Sequence, residues 1–326
     1  MSYRYASVWS LLLIAAYGCG AAGTPRTNAD HFGWVHRGDA YARPGEGAFN
    51  VRWSRQLTDR FEARFLPVQL SSAEFDVPRK RVYIGTTEGD LYAFTVKGQR
   101  LYFYDAGAQI ESKPAVHDAT GEVYFASVDG TVHALTLAGE AKWTSKLIGA
   151  LRTQPLVTND AVYVVAENDT ITALARDDGR ILWTYEKEPV EEITIAGHAG
   201  LLMEDGRLYA AFTDGAVAAI DPSDGRLFWE TETALDVERR PGNVPQFLDV
   251  DTTPVMLRGL LYVASFTAGL YALNPANGSV EWRDGDFRGV TGIAAAGRML
   301  VISSAPRGVS LLDLRTREVQ WERPPE

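Results

Sequence analysis

Five glycines of this chain are each followed four residues later by an aromatic side chain: Gly98 by Tyr102, Gly139 by Trp143, Gly179 by Trp183, Gly225 by Trp229 and Gly278 by Trp282. A small residue stands five or six residues before the glycine in each unit, at Ala93, Ala134, Ala173, Ala219 and Ala272. A sixth unit keeps the frame through Leu312-Asp313 to Trp321, with Arg317 where the others have glycine. The six aromatics are separated by 41, 40, 46, 53 and 39 residues. A repeat of that length accommodates four short strands and predicts an all-β propeller with one unit per blade.

The interior of each unit supports the same reading. In the second, Pro114-Ala-Val precedes the run Glu122–Ser127, and an Asp129-Gly130 turn leads into Thr131-Val-His-Ala. Asp-Gly between alternating runs is a hairpin signal. Asp214-Gly215 repeats it, and Glu88-Gly89 is a weaker version. Phe49–Trp53 reads as an additional strand ahead of the first full unit, so Trp53 joins the repeat aromatics. Glycine supplies the positive φ of a tight turn, and the aromatic is expected to fill the space between neighbouring blades.

The amino terminus carries an address. Arg4 precedes an apolar run, Val8–Tyr17, that is too short to span a bilayer and leads to Gly18-Cys19. Ala16-Tyr-Gly-Cys19 resembles a bacterial lipobox, in which Cys19 becomes the lipidated first residue. Ordinary signal cleavage fits the same small residues. The expected organisation is a signal peptide over 1–18, a flexible tether over 19–31 and a single propeller domain over 32–326. The Gly18-x-Gly20-x-x-Gly23 match to a dinucleotide fingerprint lies in this leader and opens no helix.

Composition and spacing exclude several chemistries. The net charge of −10, or −11 without residues 1–18, is opposite to that expected of a nucleic-acid binder. One cysteine cannot make a disulfide framework or a cysteine-rich zinc site. The five histidines, at 31, 36, 117, 133 and 198, form no metal-binding or triad motif. His133 alternates with Val132 in a strand and is expected to be packed or on the surface. Asp284-Gly-Asp286 is too short for a calcium loop. No cofactor, metal or small-molecule substrate is expected.

The pattern Ala-x-Asp-x-x-x-Gly-x-x-x-Trp resembles the repeat of pyrroloquinoline-quinone-type propellers. Asp249-Val-Asp-Thr-Thr-Pro254, preceding the strand Leu260–Ala264, resembles a segment of the BamB family, lipoproteins of the outer-membrane β-barrel assembly machine. That resemblance implies a non-catalytic scaffold gripping the periplasmic domains of the barrel-forming subunit, tethered to the membrane by its lipid alone. It places partner contacts at Asp249 and Asp251 and in an apolar-x-apolar-Arg segment matched by Ile193-Thr-Ile195, where Ala196 replaces the arginine. The alternative for the two aspartates is a turn that caps its own amides. The family has eight blades, whereas six full units are recognisable here, so ring closure stays open. Two other functions compete: an envelope-sensing propeller unconnected to barrel assembly, and a quinone-dependent enzyme. The enzyme is disfavoured because such dehydrogenases are much longer and use an adjacent-cysteine disulfide.

Overall fold

The computed structural model describes residues 52–55, 57, 71–187, 199–233, 249–250 and 252–325. The signal peptide, Cys19, the tether, Ile193, Ile195 and Asp251 lie outside them. Among the described residues there are 24 strands and no helix. They form six four-stranded antiparallel sheets, each a meander in chain order, at residues 74–105, 115–146, 156–185, 202–232, 255–284 and 290–323. These are blades 1 to 6, and the all-β propeller expected from the repeat is borne out.

Strand sequence explains strand position. The third strands of blades 3, 4 and 5, Ile171–Ala175, Ala216–Ile220 and Gly269–Leu273, are buried on both faces, so their runs are nearly all apolar. The fourth strands of blades 3 and 4, Ile181–Tyr185 and Leu227–Glu232, are edge strands that bury only the Trp and otherwise face solvent. First strands of successive blades touch, as Glu74–Asp76 does Ala115–Val116, which in turn meets Leu156–Val157. They therefore line the middle of the wheel.

The core is divided among blade interfaces. Five buried apolar clusters join blades 1 and 2, 2 and 3, 3 and 4, 4 and 5, and 5 and 6. Each contains the repeat alanine of the earlier blade, and that alanine is directly opposite the repeat aromatic in strand register: Ala134 opposite Trp143, Ala173 opposite Trp183, Ala219 opposite Trp229. On the alanine's other side stands a tyrosine, Tyr124, Tyr163 or Tyr209. Tyrosine and tryptophan rings approach to 5.9–6.0 Å over the small residue. The alanine is needed because a larger side chain between two rings would hold the next blade away.

The aromatic of one blade sits on the turn glycine of the next. A Cβ at Gly139 would stand 2.5 Å from the Tyr102 ring, at Gly179 2.5 Å from Trp143, at Gly225 2.7 Å from Trp183 and at Gly278 2.5 Å from Trp229. These glycines have φ of 73–89°, so both the contact and the backbone require the missing side chain. In the sixth unit Arg317 adopts the same turn, with φ 60° and its N–H 2.7 Å from the Asp313 carbonyl. Its guanidinium lies 5.0 Å from the centre of the Trp282 ring, so a cation–π contact replaces the close glycine approach.

Two expectations need correction. Trp53 packs on Gly98 and donates from Nε1 to the Val96 carbonyl at 2.9 Å, but residues 52–55 are in no strand. Trp321 is not buried between blades: it is 52% exposed.

Candidate partner-binding face

Linkers from the fourth strand of one blade to the first strand of the next form the candidate face. Those entering blades 2 and 3 span residues 106–114 and 147–155, whereas those entering blades 4 and 5 span 186–201 and 233–254. Both sequence-derived contact segments, Ile193–Ile195 and Asp249–Asp251, fall in these two longer, consecutive linkers. Long loops on a rigid scaffold are where propellers vary without disturbing the sheets.

The linkers share an internal frame. Ser112-Lys-Pro114 precedes blade 2, Thr153-Gln-Pro155 blade 3 and Thr252-Thr-Pro254 blade 5. Ser112 Oγ donates to the Ala126 carbonyl at 2.7 Å and accepts from the Ala126 N–H at 2.9 Å. Thr252 Oγ1 does the same to Ala264, at 3.2 and 2.9 Å. Two residues earlier, Ile110, Leu151 and Val250 are buried plugs between blades. Half of the Asp249–Pro254 hexapeptide is therefore repeat scaffold, which sequence comparison between the linkers themselves would have exposed.

Asp249 occupies the frame position of Gln109 and Ala150. All three give their carbonyl to an N–H, of Phe266 at 3.1 Å, Val128 at 2.9 Å and Glu167 at 3.0 Å respectively. Gln109 is exposed and Ala150 half-exposed, but Asp249 is only 1% exposed and is not free. A carboxylate so buried must be held by partners within the fold. The frame equivalents of Asp251 are Glu111 and Arg152, whose side chains pair across blades 2 and 3. Arg152 also donates to Glu167 at 2.5 Å, and hydrogen bonding to Glu111 raises its pKa further.

Arg152, Gln154, Gly200 and Thr253, with the first strands Ala115–Val116 and Leu156–Val157, line a cleft of about 420 Å³. Glu74, at its edge, pairs with Lys113 at 2.6 Å. The lining is polar and mostly paired internally, which suits a wet protein–protein contact better than an apolar ligand.

The described histidines are structural. His117 joins blades 2 and 3 through Thr120 at 2.9 Å and Asn159 at 3.1 Å. His133 stacks on Phe125 with ring centres 4.7 Å apart, and burial pushes its pKa down to about 4. His31, His36 and His198 lie outside the described residues. Among the described residues no three His, Cys, Asp or Glu side chains are grouped to hold a metal.

Six meander sheets, the first five each clamped by an aromatic on the next blade's turn, define a β-propeller of the pyrroloquinoline-quinone repeat class. The chain belongs to the family described as outer membrane protein assembly factor BamB, whose model matches residues 105–323. It is 25% identical over 195 residues to the BamB of Yersinia pestis, covering 58% of this chain and 48% of that protein. With the BamB of Burkholderia pseudomallei it shares 22% over 271 residues, covering 82% and 68%. The chain thus spans about half the length of several curated relatives it matches. The crystal structure of BamB from Moraxella catarrhalis superposes with a TM-score of 0.59 at 19% identity, over 79% of this chain and 88% of that one. Saccharomyces cerevisiae Sqt1 superposes at 0.63 with 12% identity, over 77% and 72%, so at this distance structural likeness speaks for the fold alone.

Proposed function

We propose that this protein is a non-catalytic scaffold lipoprotein of outer-membrane protein assembly. It is held at the periplasmic face of the outer membrane through Cys19 and grips the periplasmic domains of the barrel-forming subunit. The observation that carries this reading is the family match over residues 105–323, supported by two lengthened linkers in consecutive blades. Contact falls on Ile193, Ile195 and Asp251, in the same two linkers, and Asp249 is a buried carboxylate. Acidic loops set the orientation of a basic partner surface more than they add raw affinity.

Crosslinked pull-down from membranes of the source cell tests it. Recovery of the barrel-forming subunit supports the proposal. Recovery of other envelope proteins without that subunit makes the protein a propeller of another envelope function.

A further inference from the structure

The wheel has a second face, opposite the linkers. Consecutive strands of a meander reverse direction, so the linkers share one end of each blade with the hairpin from second to third strand. The other end carries two short turns per blade, from first to second strand and from third to fourth. In blade 1 these are residues 76–81 and 95–100, and in blade 6 residues 296–299 and 313–318.

Charge on this second face is divided by blade. The two turns carry +4 in blade 1 and +1 in each of blades 5 and 6, against −3, −1 and −2 in blades 2, 3 and 4. A chain of net charge −10 thus sets exposed cations on the first blade and the last two: Lys80 and Lys97 on blade 1, Arg258 on blade 5, Arg298 and Arg315 on blade 6. The nearby aspartates do not face solvent: Asp76 is buried against Arg79, and Asp313 is buried and accepts the Arg315 N–H at 2.8 Å. In blades 3 and 4 the exposed arginines are paired within their own turns, Arg180 with Asp178 at 3.5 Å and Arg226 with Asp224 at 2.6 Å.

The blade 1 turns add an apolar tip. The Lys80 N–H donates to the Val77 carbonyl at 3.2 Å, and the Val96 N–H donates to the Lys80 carbonyl at 3.0 Å. Val77 is 76% exposed and Val96 45%, so two apolar side chains stand beside two lysines at one corner of the face. Cations alone suit any polyanion. Exposed valines among them suit a surface with an apolar layer beneath a charged one, which is the make-up of a phospholipid leaflet.

We propose that the turns of blades 5, 6 and 1 on this face seat on an anionic phospholipid surface, with Val77 and Val96 at the headgroup boundary and Lys80 and Lys97 meeting phosphate. The acidic turns of blades 2 to 4 are repelled by the same surface, so contact tilts the propeller towards blade 1. Such a surface orients the molecule and does not replace a lipid anchor, because its attraction is screened by salt. The linker face stays turned away from the bilayer and open to a protein partner.

Co-sedimentation with vesicles tests this on the processed chain, residues 19–326, carrying Cys19→Ser. No lipid anchor and no barrel-forming subunit is present, so failure here leaves the proposed function standing. The vesicles contain phosphatidylglycerol and phosphatidylethanolamine, and in the comparison vesicles phosphatidylcholine replaces phosphatidylglycerol. Binding at ~0.1 M salt is expected on the anionic vesicles only. Each cation near such a surface is worth about fivefold in affinity, so Lys80→Gln/Lys97→Gln is expected to weaken binding at least about tenfold. Arg180→Gln/Arg226→Gln makes the same change in net charge on the acidic blades and is expected to leave binding unchanged. No binding to the anionic vesicles, equal binding to both compositions, or equal losses in the two pairs would each overturn the proposal. So would capture on immobilised polyglutamate without vesicle binding, since the face would then serve an acidic protein. If the lysine pair lowers the thermal melt, salt decides on the parent chain. Raising it to ~1 M shortens the screening length from ~10 to ~3 Å and is expected to weaken binding at least about tenfold; binding unmoved by salt refutes the assignment.

Discussion

The indole Nε1 of Trp183 donates to the carbonyl oxygen of Pro222 in the following blade at 2.9 Å. Tyr163, two strands away on the same file, donates its hydroxyl to that oxygen at 3.2 Å. Trp229 and Tyr209 repeat the arrangement on Pro275, at 3.0 and 3.4 Å. One blade thus buries its rings on the next blade's turn and also satisfies a turn carbonyl that packing would leave dry. Where Tyr102 replaces the tryptophan, the corresponding carbonyl of Leu137 is met instead by Arg81, at 2.5 Å.

The clamp predicts a graded series at Trp183. Trp183→Ala empties an aromatic site in a packed interface and is expected to cost ~3–5 kcal/mol. Trp183→Phe keeps much of the ring but leaves the Pro222 carbonyl one donor short, for roughly 1 kcal/mol less stability than wild type. Chemical denaturation of both variants checks the order. An unchanged midpoint for the alanine variant would remove the clamp from the account of stability.

The linker pins predict a cost that volume alone does not explain. Thr252→Val is nearly isosteric but leaves the buried Ala264 N–H without its acceptor, at about 1–3 kcal/mol. Ser112→Ala is expected to do the same through Ala126. Thermal melts give the test: a Thr252→Val variant as stable as wild type would show that the hydroxyl is dispensable.

Burial of His133 makes stability depend on mild acid. Its folded-state pKa of about 4 lies below the unfolded value of ~6.5, so below pH 6.5 the unfolded chain takes up a proton that the folded chain refuses. Stability attributable to His133 is therefore complete above pH 6.5 and falls as pH drops towards 4, by ~1.4 kcal/mol per unit. Between pH 6.5 and 5 this amounts to roughly 2 kcal/mol. His133→Gln is expected to flatten the curve by that amount; parallel wild-type and variant curves would assign the acid sensitivity to other groups.

The two aspartates should separate. Asp249 is buried, so Asp249→Ala is expected to lower the melt, with binding reduced in proportion to unfolding. Asp251→Ala is expected to leave stability within ~0.5 kcal/mol and weaken binding to the barrel-forming subunit, because an interface charge that loses its partner costs ~2–5 kcal/mol. Calorimetry with a pull-down on each single variant decides. A lowered melt with full binding for Asp251→Ala would make it a turn residue.

Lipidation predicts location. With Cys19→Ser the protein should move from the membrane to the soluble fraction with its melt intact, because the lipid is the proposed anchor. Persistence in the membrane fraction would point to a second attachment.

Much of this molecule was legible in one dimension because a propeller repeats its local chemistry. Turn glycines, the alanine beneath each aromatic and the strand periodicity depend on residues within one unit, so the ~40-residue spacing was enough to define four-stranded blades and their number among the described residues. The tyrosine of each Tyr-Ala-Trp file is not legible in the sequence, since it lies two strands away and its partnership exists only across the sheet. What tertiary structure alone decided is how units meet: that Trp183 sits on Gly225 and not on its own Gly179, that Arg317 can stand in for glycine by lying over Trp282, and that Asp249 is buried where Gln109 is exposed. It also decided that Trp53 packs on Gly98 and that Trp321 is exposed. Local sequence specifies a blade through hydrogen bonds and turn geometry over a few residues. Contacts between blades depend on side-chain packing across tens of residues, and the same four-residue turn-to-aromatic spacing leaves Trp183 buried and Trp321 exposed.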